Sequence, residues 1–102
     1  MVNSTNWESP YSYDMDMMMT ARALENTVYL ACCNRIGKDT TLSFFGHSRI
    51  LNPLGQVISG VEGEKEDFVY ASLDYNHIEK MRTDYYTMLT ERRPELYSTL
   101  VK

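Results

Sequence analysis

The 102-residue sequence is poor in residues that cross-link a chain or bind metal, with two cysteines and two histidines. The cysteines, Cys32 and Cys33, are adjacent, and neighbouring side chains on a strand point to opposite faces, so a disulfide between them would be strained. Adjacent thiols also lack the spacing that lets two sulfurs reach one zinc ion. We therefore expect reduced thiols, a cytoplasmic location and no structural metal.

Positive charge and long apolar runs are scarce as well. The chain has ten basic and 14 acidic residues, giving a net charge of −4, and its longest basic cluster is Arg92-Arg93. This excludes the basic surface typical of nucleic-acid-binding proteins. No apolar run approaches the ~20 residues of a bilayer span, and residues 1–6 do not resemble a secretion signal. The sequence predicts one domain that binds neither nucleic acid nor membrane, and nothing in it indicates a cofactor.

Local patterns predict alternating helices and strands. Apolar residues recur at helical spacing between residues 14 and 26, where Ser12 or Asp14 can cap the helix. The apolar run 28–33 predicts a strand covered on both faces, with both thiols buried, and residues 34–41 predict a loop. Residues 48–51 and 56–59 flank Asn52-Pro53-Leu54-Gly55, a turn sequence, and predict a hairpin.

The second half of the chain is less regular. The mostly acidic run 62–67 predicts a solvated loop, and residues 68–74 have strand composition. Asn76 and Glu79 resemble a capping box that opens a helix through about Thr83. The fold class is therefore α/β, with mixed layers. One substantial helix cannot cover both faces of a central strand, so we expect the layers to be incomplete without another chain.

Five sequence pieces occur in a fixed order over nearly the whole chain. They are Arg22-Ala-Leu-Glu-Asn-Thr-Val-Tyr29, Cys33-Asn-Arg-Ile-Gly37, Phe45-Gly-His-Ser48, Asn52-Pro-Leu-Gly55 and Glu91-Arg-Arg-Pro-Glu-Leu-Tyr97. Together they resemble the carbon-nitrogen hydrolase, or nitrilase, superfamily, and they match only its C-terminal portion. The resemblance implies part of an α-β-β-α sandwich over residues 1–83 and a C-terminal extension over residues 84–102 that packs at a subunit interface. The missing N-terminal half or an oligomeric partner would complete the sandwich.

The resemblance also implies a chemistry. Family members hydrolyse non-peptide C–N bonds of amides, carbamoyl groups or nitriles through a cysteine thioester, with a Glu as base and a Lys that stabilises the oxyanion. All three residues precede the segment matched here, so this chain carries no catalytic residue. The loop that lines the acyl pocket corresponds to Asn3, Thr5, Asn6 and Trp7, which we expect to contact substrate in an assembled enzyme. Asn34 and Arg35 are placed near the pocket because they end the central strand.

Two alternatives remain open at this point. Cys32 or Cys33 could act as a nucleophile with His47 as base and Glu25 or Asp74 orienting it, although burial in an apolar strand disfavours the thiolate. The chain could also be a non-catalytic module that docks on itself or on an intact homologue. The leading hypothesis is a hydrolase fragment that is inactive alone, with homo-oligomer formation or the missing half as its partner.

Overall fold

The computed structural model describes residues 1–100. The elements, in chain order, are β1 (Val2–Thr5), α1 (Ser12–Asn26), β2 (Leu30–Asn34), β3 (Ile36–Lys38), β4 (Ser43–Phe45), β5 (Arg49–Leu51), β6 (Val57–Gly60) and α2 (Tyr75–Asp84), followed by two 3-10 turns at Thr87–Leu89 and Pro94–Leu96. The fold class is α/β with mixed layers, as the sequence predicts.

The main sheet has four strands in the order β1-β2-β5-β6, and β3 and β4 form a separate two-stranded ribbon. β1 runs parallel to β2, whereas β2–β5 and β5–β6 are antiparallel. The register places Asn3 beside Cys32 and Cys32 beside Arg49. Because side chains alternate along each strand, these three residues share one face of the sheet.

The helix α1 covers that face and forms the core with it. Its buried residues Met15, Met19 and Ala23 recur at a spacing of four, which aligns them on one side of the helix. They form one cluster with the sheet residues Leu30, Cys32, Phe45 and Leu51, and the half-buried Trp7 packs against it. Met15 and Met19 are therefore core residues, whereas Met17 and Met18, whose spacing also suggested core packing, are 54% and 44% exposed.

The opposite face of the sheet has no comparable layer among residues 1–100. Buried and less buried residues alternate along β2, so Leu30 and Cys32 face the helix while Cys33 is exposed. The segment 67–69 passes along this face but leaves a cleft of about 270 Å³, and Val2 and Phe68 are 82% and 80% exposed. The expectation of a strand covered on both faces, with both thiols buried, is therefore wrong for this chain.

The overall dimensions are also larger than those of a compact domain of this length. The radius of gyration is 16.3 Å, with extents of 49 × 34 × 19 Å. A compact domain of 100 residues has a radius of about 13 Å. Tyr97 and Leu100 near the end of the tail are 57% and 80% exposed, and the tail's residues 101 and 102 lie outside the described residues. None of residues 85–100 is buried.

Several local expectations need correction. Tyr11 occupies the N-cap of α1 and makes no side-chain capping bond, so neither predicted cap is used. Residues 36–38, expected as loop, pair with β4, and Gly37 within them adopts φ 91°, a conformation that glycine takes without strain. Residues 68–74 form no strand, since no neighbouring strand pairs with them among the described residues.

The cap of α2 also differs from the prediction. The carboxylate of Asp74, rather than Asn76, caps α2 by accepting a hydrogen bond from the Asn76 N–H.

Candidate functional site

The side chain of Asn34, at the end of β2, holds the loop that follows β1. Its Oδ1 accepts a hydrogen bond from the Trp7 N–H at 2.7 Å, and its Nδ2 donates to the carbonyls of Trp7 at 3.2 Å and Gly46 at 2.8 Å. Asn34 is only 5% exposed. A buried amide with three partners fixes the position of the loop relative to two strands.

Beside this loop lies an open cleft of about 550 Å³. Its lining residues come from the end of β1 and the loop after it, and from the β3–β4 ribbon together with Arg35, which precedes β3. They are Thr5, Asn6, Trp7, Glu8, Tyr11, Arg35, Asp39, Leu42 and Phe44. The Arg35 guanidinium lies 4.3 Å from the centroid of the Phe44 ring, and its Nη1 is 3.4 Å from Asp39 Oδ2. The cleft thus combines aromatic walls with ionic groups.

The structure brings three of the four predicted pocket residues together. Thr5, Asn6 and Trp7 line the cleft, whereas Asn3 does not. Its Nδ2 instead approaches Met19 Sδ at 3.6 Å, under the covering helix. Asn3 and Thr5 share a face of β1, but Thr5 lies two residues further along the strand. Of the two strand-end residues, Arg35 lines the cleft and Asn34 supports it from behind.

Sequence reasoning missed part of this cleft. Leu42 and Phe44 were not predicted to line the cleft because the sequence did not predict the β3–β4 ribbon, although Phe44 and Phe45 have strand composition. No sequence motif pointed to Glu8. Its Oε2 is buried and has no hydrogen-bond partner among residues 1–100, and Glu8 itself is half-buried in a bridge to Phe44.

The two cysteines lie in different environments. Burial raises the pKa of the Cys32 thiol, and the nearby Arg49 guanidinium only partly opposes that effect. Cys33 shares a separate cleft of about 170 Å³ with His47 on the uncovered side of the sheet. The two acids proposed to orient the histidine lie elsewhere: Glu25 pairs with Arg22, and Asp74 caps α2. The acids in that cleft are Glu66 and Asp67, in an exposed loop.

Within residues 1–100 no three or more His, Cys, Asp or Glu residues converge to hold a metal ion. The helices of that same part of the chain are too short or too polar to cross a bilayer.

Comparison with known proteins decides the family. The model of the carbon-nitrogen hydrolase family matches residues 1–83. The chain belongs to the carbon-nitrogen hydrolase family. Its expected membership is thereby confirmed, and the match covers the sheet, α1 and nearly all of α2.

Curated relatives of this chain are much longer than it is. It is 45% identical over 101 residues to a probable nitrilase of Schizosaccharomyces pombe, covering 99% of this chain and 37% of the relative. It is 35% identical to the omega-amidase YafV of Escherichia coli, covering 76% of this chain and 30% of the relative. The chain therefore spans about a third of the length of these relatives.

Solved hydrolase structures share the fold. A CN-hydrolase superfamily protein of Xanthomonas campestris superimposes with a TM-score of 0.78 at 27% identity, covering 90% of this chain and 36% of that one. The C. elegans NitFhit protein gives 0.81 at 23% identity, covering 94% and 24%. The second likeness concerns the fold alone.

Proposed function

We propose that this chain supplies the part of a carbon-nitrogen hydrolase that follows the catalytic residues, and that it forms one wall of the acyl pocket. The observation that carries the proposal is the cleft beside Thr5, Asn6 and Trp7, held by the Asn34 side chain. A rigid loop beside an open cleft is suited to orienting a substrate whose reacting groups lie on another part of the protein.

The reaction proposed for the assembled enzyme is hydrolysis of a small amide, carbamoyl compound or nitrile through a cysteine thioester. Relatives bearing the names omega-amidase, N-carbamoylputrescine amidase and probable nitrilase support this range of bonds. The base, the nucleophile and the lysine belong to the other part. This chain contributes polar contacts from Thr5 and Asn6 and the aromatic surface of Trp7, and Asn3 supports the strand from beneath α1.

Alone, the chain is proposed to be inactive. Burial raises the pKa of the Cys32 thiol, which disfavours its thiolate, and neither Glu25 nor Asp74 lies in the cleft that Cys33 shares with His47. The thiolate, and not the thiol, is the nucleophile in such reactions. A purified chain is expected to release no ammonia from an amide and nitrile panel above buffer. Hydrolysis that disappears in Cys33→Ser would overturn this expectation.

The partner proposed for the uncovered sheet face is the remainder of such a hydrolase. Val2, Cys33 and Phe68 leave this face open, and this chain covers only 36% of the similar Xanthomonas campestris protein. Burial of apolar surface on this face would drive the association. Residues 84–102 are proposed as a C-terminal extension at a subunit interface.

Complementation tests the assignment directly. The S. pombe relative, shortened by the segment that this chain matches, is co-expressed with this chain and assayed on the same substrate panel. We expect hydrolysis only when both polypeptides are present, and loss of it when the relative's nucleophile is replaced. A stable complex without hydrolysis would contradict the proposed role in the pocket.

A second candidate is a non-catalytic module that docks on itself or on an intact homologue. The exposed side chains of Leu96, Tyr97 and Leu100 favour it, because they leave apolar surface on the tail. Sedimentation of the chain at micromolar concentration separates the candidates. A dimer that forms without the shortened relative, and that prevents complementation, would favour docking.

A further inference from the structure

Residues 68–73 have the composition of a strand, yet no strand pairs with them among residues 1–100. Their side chains alternate in exposure. Phe68 and Tyr70 are 80% and 77% exposed, and their rings are stacked with centroids 6.2 Å apart. Val69 and Ala71, which alternate with them, are half-buried. A period of two is typical of an extended strand that covers a surface with one of its faces.

The backbone of this segment has unused hydrogen-bonding groups. Just before it, the Asp67 carboxylate accepts a hydrogen bond from the Phe68 N–H at 2.8 Å. Just after it, the Asp74 N–H donates to the Tyr29 hydroxyl at 3.3 Å. Between these points, the N–H groups of residues 69–73 have no hydrogen-bond partner in the described part of the chain. A row of such groups is the edge with which a further strand pairs.

The segment lies along the uncovered face of the main sheet. Val69 shares the cleft of about 270 Å³ with Cys33, and Ala71 lines a second open cleft of about 430 Å³ with Ile58. The inner side of the segment is therefore only partly covered by this chain. The region that the chain matches makes up 37% of the S. pombe relative, so most of that protein lies outside it and is available to pair with this segment.

Charge disfavours a second copy of this chain as the pairing strand. Carboxylates flank the segment on both sides, with Asp67 ending the mostly acidic run 62–67 and Asp74 following the segment. If two copies paired antiparallel over residues 68–73, Asp67 of one copy would lie opposite Asp74 of the other. If they paired parallel and in register, their acidic runs would lie side by side. Like charges placed opposite one another destabilise paired strands, so the flanks favour a different partner.

We propose that residues 68–73 are a strand that this chain donates to a sheet of the remaining part of the hydrolase. The partner is an extended apolar strand with neutral or basic flanks, and it pairs with the segment through backbone hydrogen bonds. The identity of this partner rests on the proposed function, whereas the unpaired edge is a property of this chain. The strand composition of the segment is then explained, because the neighbour that it lacks comes from the other polypeptide.

Amide hydrogen exchange tests the pairing on the full 102-residue chain. The chain is co-expressed with the shortened S. pombe relative, which carries an affinity tag, and the purified complex is compared with the chain alone. In the chain alone, the amides of residues 69–73 are expected to exchange at rates close to those of an unstructured peptide. In the complex, at least alternate amides of this segment should exchange about a hundredfold more slowly, because one neighbouring strand bonds alternate N–H groups.

Proline substitutions separate backbone pairing from side-chain burial. Ala71→Pro and Ser72→Pro each remove one N–H, and consecutive N–H groups point to opposite edges of a strand. At least one of the two variants is therefore expected to be retained about tenfold less on the tagged relative. Glu66→Pro makes the same change in the exposed loop before the segment and should be retained like the original chain.

The variants are also checked for folding. The N–H groups at positions 66, 71 and 72 have no hydrogen-bond partner among residues 1–100, so all three variants should unfold at the same urea concentration as the original chain. If a variant does not fold, amide exchange in the original chain still decides the question.

Four results would overturn the inference: no complex, a complex in which residues 69–73 exchange as fast as in the chain alone, equal retention of all three variants, or slow exchange in the chain alone that increases with concentration. The last result would assign the edge to a second copy. Hydrolysis by a complex whose segment exchanges fast would refute this inference and leave the proposed function standing. Slow exchange without hydrolysis would refute only the proposed role in the pocket.

Discussion

Asn34 and Trp7 are joined by a reciprocal pair of hydrogen bonds between the Asn34 amide and the Trp7 backbone, 27 residues apart in sequence. The Trp7 N–H donates to Asn34 Oδ1 at 2.7 Å, and Asn34 Nδ2 donates to the Trp7 carbonyl at 3.2 Å. This pairing continues the contact between the β1 and β2 segments from Thr5 to Trp7. The loop that lines the cleft is therefore attached directly to the sheet.

Replacement of Asn34 should therefore destabilise the chain. Asn34→Ala leaves the Trp7 N–H without its partner and removes the donor to the Gly46 carbonyl, so we expect a loss of about 2–3 kcal/mol in the free energy of unfolding. Urea unfolding measures the loss. Asn76→Ala is the control, since the Asn76 side chain makes no hydrogen bond among those described; its expected effect is within about 0.5 kcal/mol. Equal effects would mean that the amide contacts are dispensable.

The methionines of α1 should separate into core and surface. Met15 is fully buried, whereas Met17 on the same helix is 54% exposed. Met15→Ala is expected to cost about 2–5 kcal/mol of unfolding free energy because it leaves a cavity. Met17→Ala, with the same change in side chain, should cost less than about 0.5 kcal/mol. A larger effect at Met17 in urea unfolding would show that another surface covers the outer side of α1.

The two adjacent thiols should differ in reactivity. Cys33 is exposed, while Cys32 is buried with its pKa raised above 9.0 by burial, which reduces its thiolate fraction at pH 8. Brief treatment with iodoacetamide should add one label to the native chain and two labels to the unfolded chain, as measured by intact mass. In Cys33→Ser the native chain should take up no label, and in Cys32→Ser it should take up one. Labelling of Cys32 in the native chain would contradict its placement under α1.

The carboxyl of Asp39 should titrate below its ordinary pKa of 3.8. The Thr40 N–H that donates to it is the main cause, and the Arg35 guanidinium is the second. Because the folded-state pKa is lowered, the stabilisation is fully present above pH 3.8 and is lost as the pH falls through the lowered value. Carboxyl carbon NMR during acid titration measures the midpoint.

Arg35→Gln offers a check on the causes of that lowered pKa. The midpoint of Asp39 should rise in this variant but stay below 3.8, since the bond from the Thr40 N–H remains. A return to 3.8 would show that the guanidinium alone lowers the pKa.

The capping of α2 gives a further comparison. Asp74 accepts from the Asn76 N–H at 3.0 Å, so Asp74→Ala should reduce the stability of this helix by about 1 kcal/mol. Glu79→Ala, which would break the capping box predicted from sequence, should have a smaller effect. Circular dichroism during urea unfolding measures both. A larger effect at Glu79 would restore the predicted box.

Local patterns predicted the elements whose stability comes from nearby residues. The apolar periodicity between residues 14 and 26 predicts α1, and the Asn52-Pro53-Leu54-Gly55 turn predicts the β5–β6 hairpin, which the structure confirms. The predictions that were wrong concern strand pairing, which depends on residues that are not neighbours in sequence. Ile36 and Phe45 became strand partners although residues 34–41 have loop composition, and Phe68 lacks the neighbouring strand that its composition favours.

The sequence by itself determined the family, the α/β fold class and the position of the loop at Thr5, Asn6 and Trp7, because motif order and side-chain periodicity are properties of the linear chain. Only the tertiary structure decided that Asn34 holds this loop, that Glu8 and Arg35 share its cleft, and that one sheet face is left open. These features depend on contacts between residues far apart in sequence, and on which faces the alternating side chains of a strand present to a covering layer.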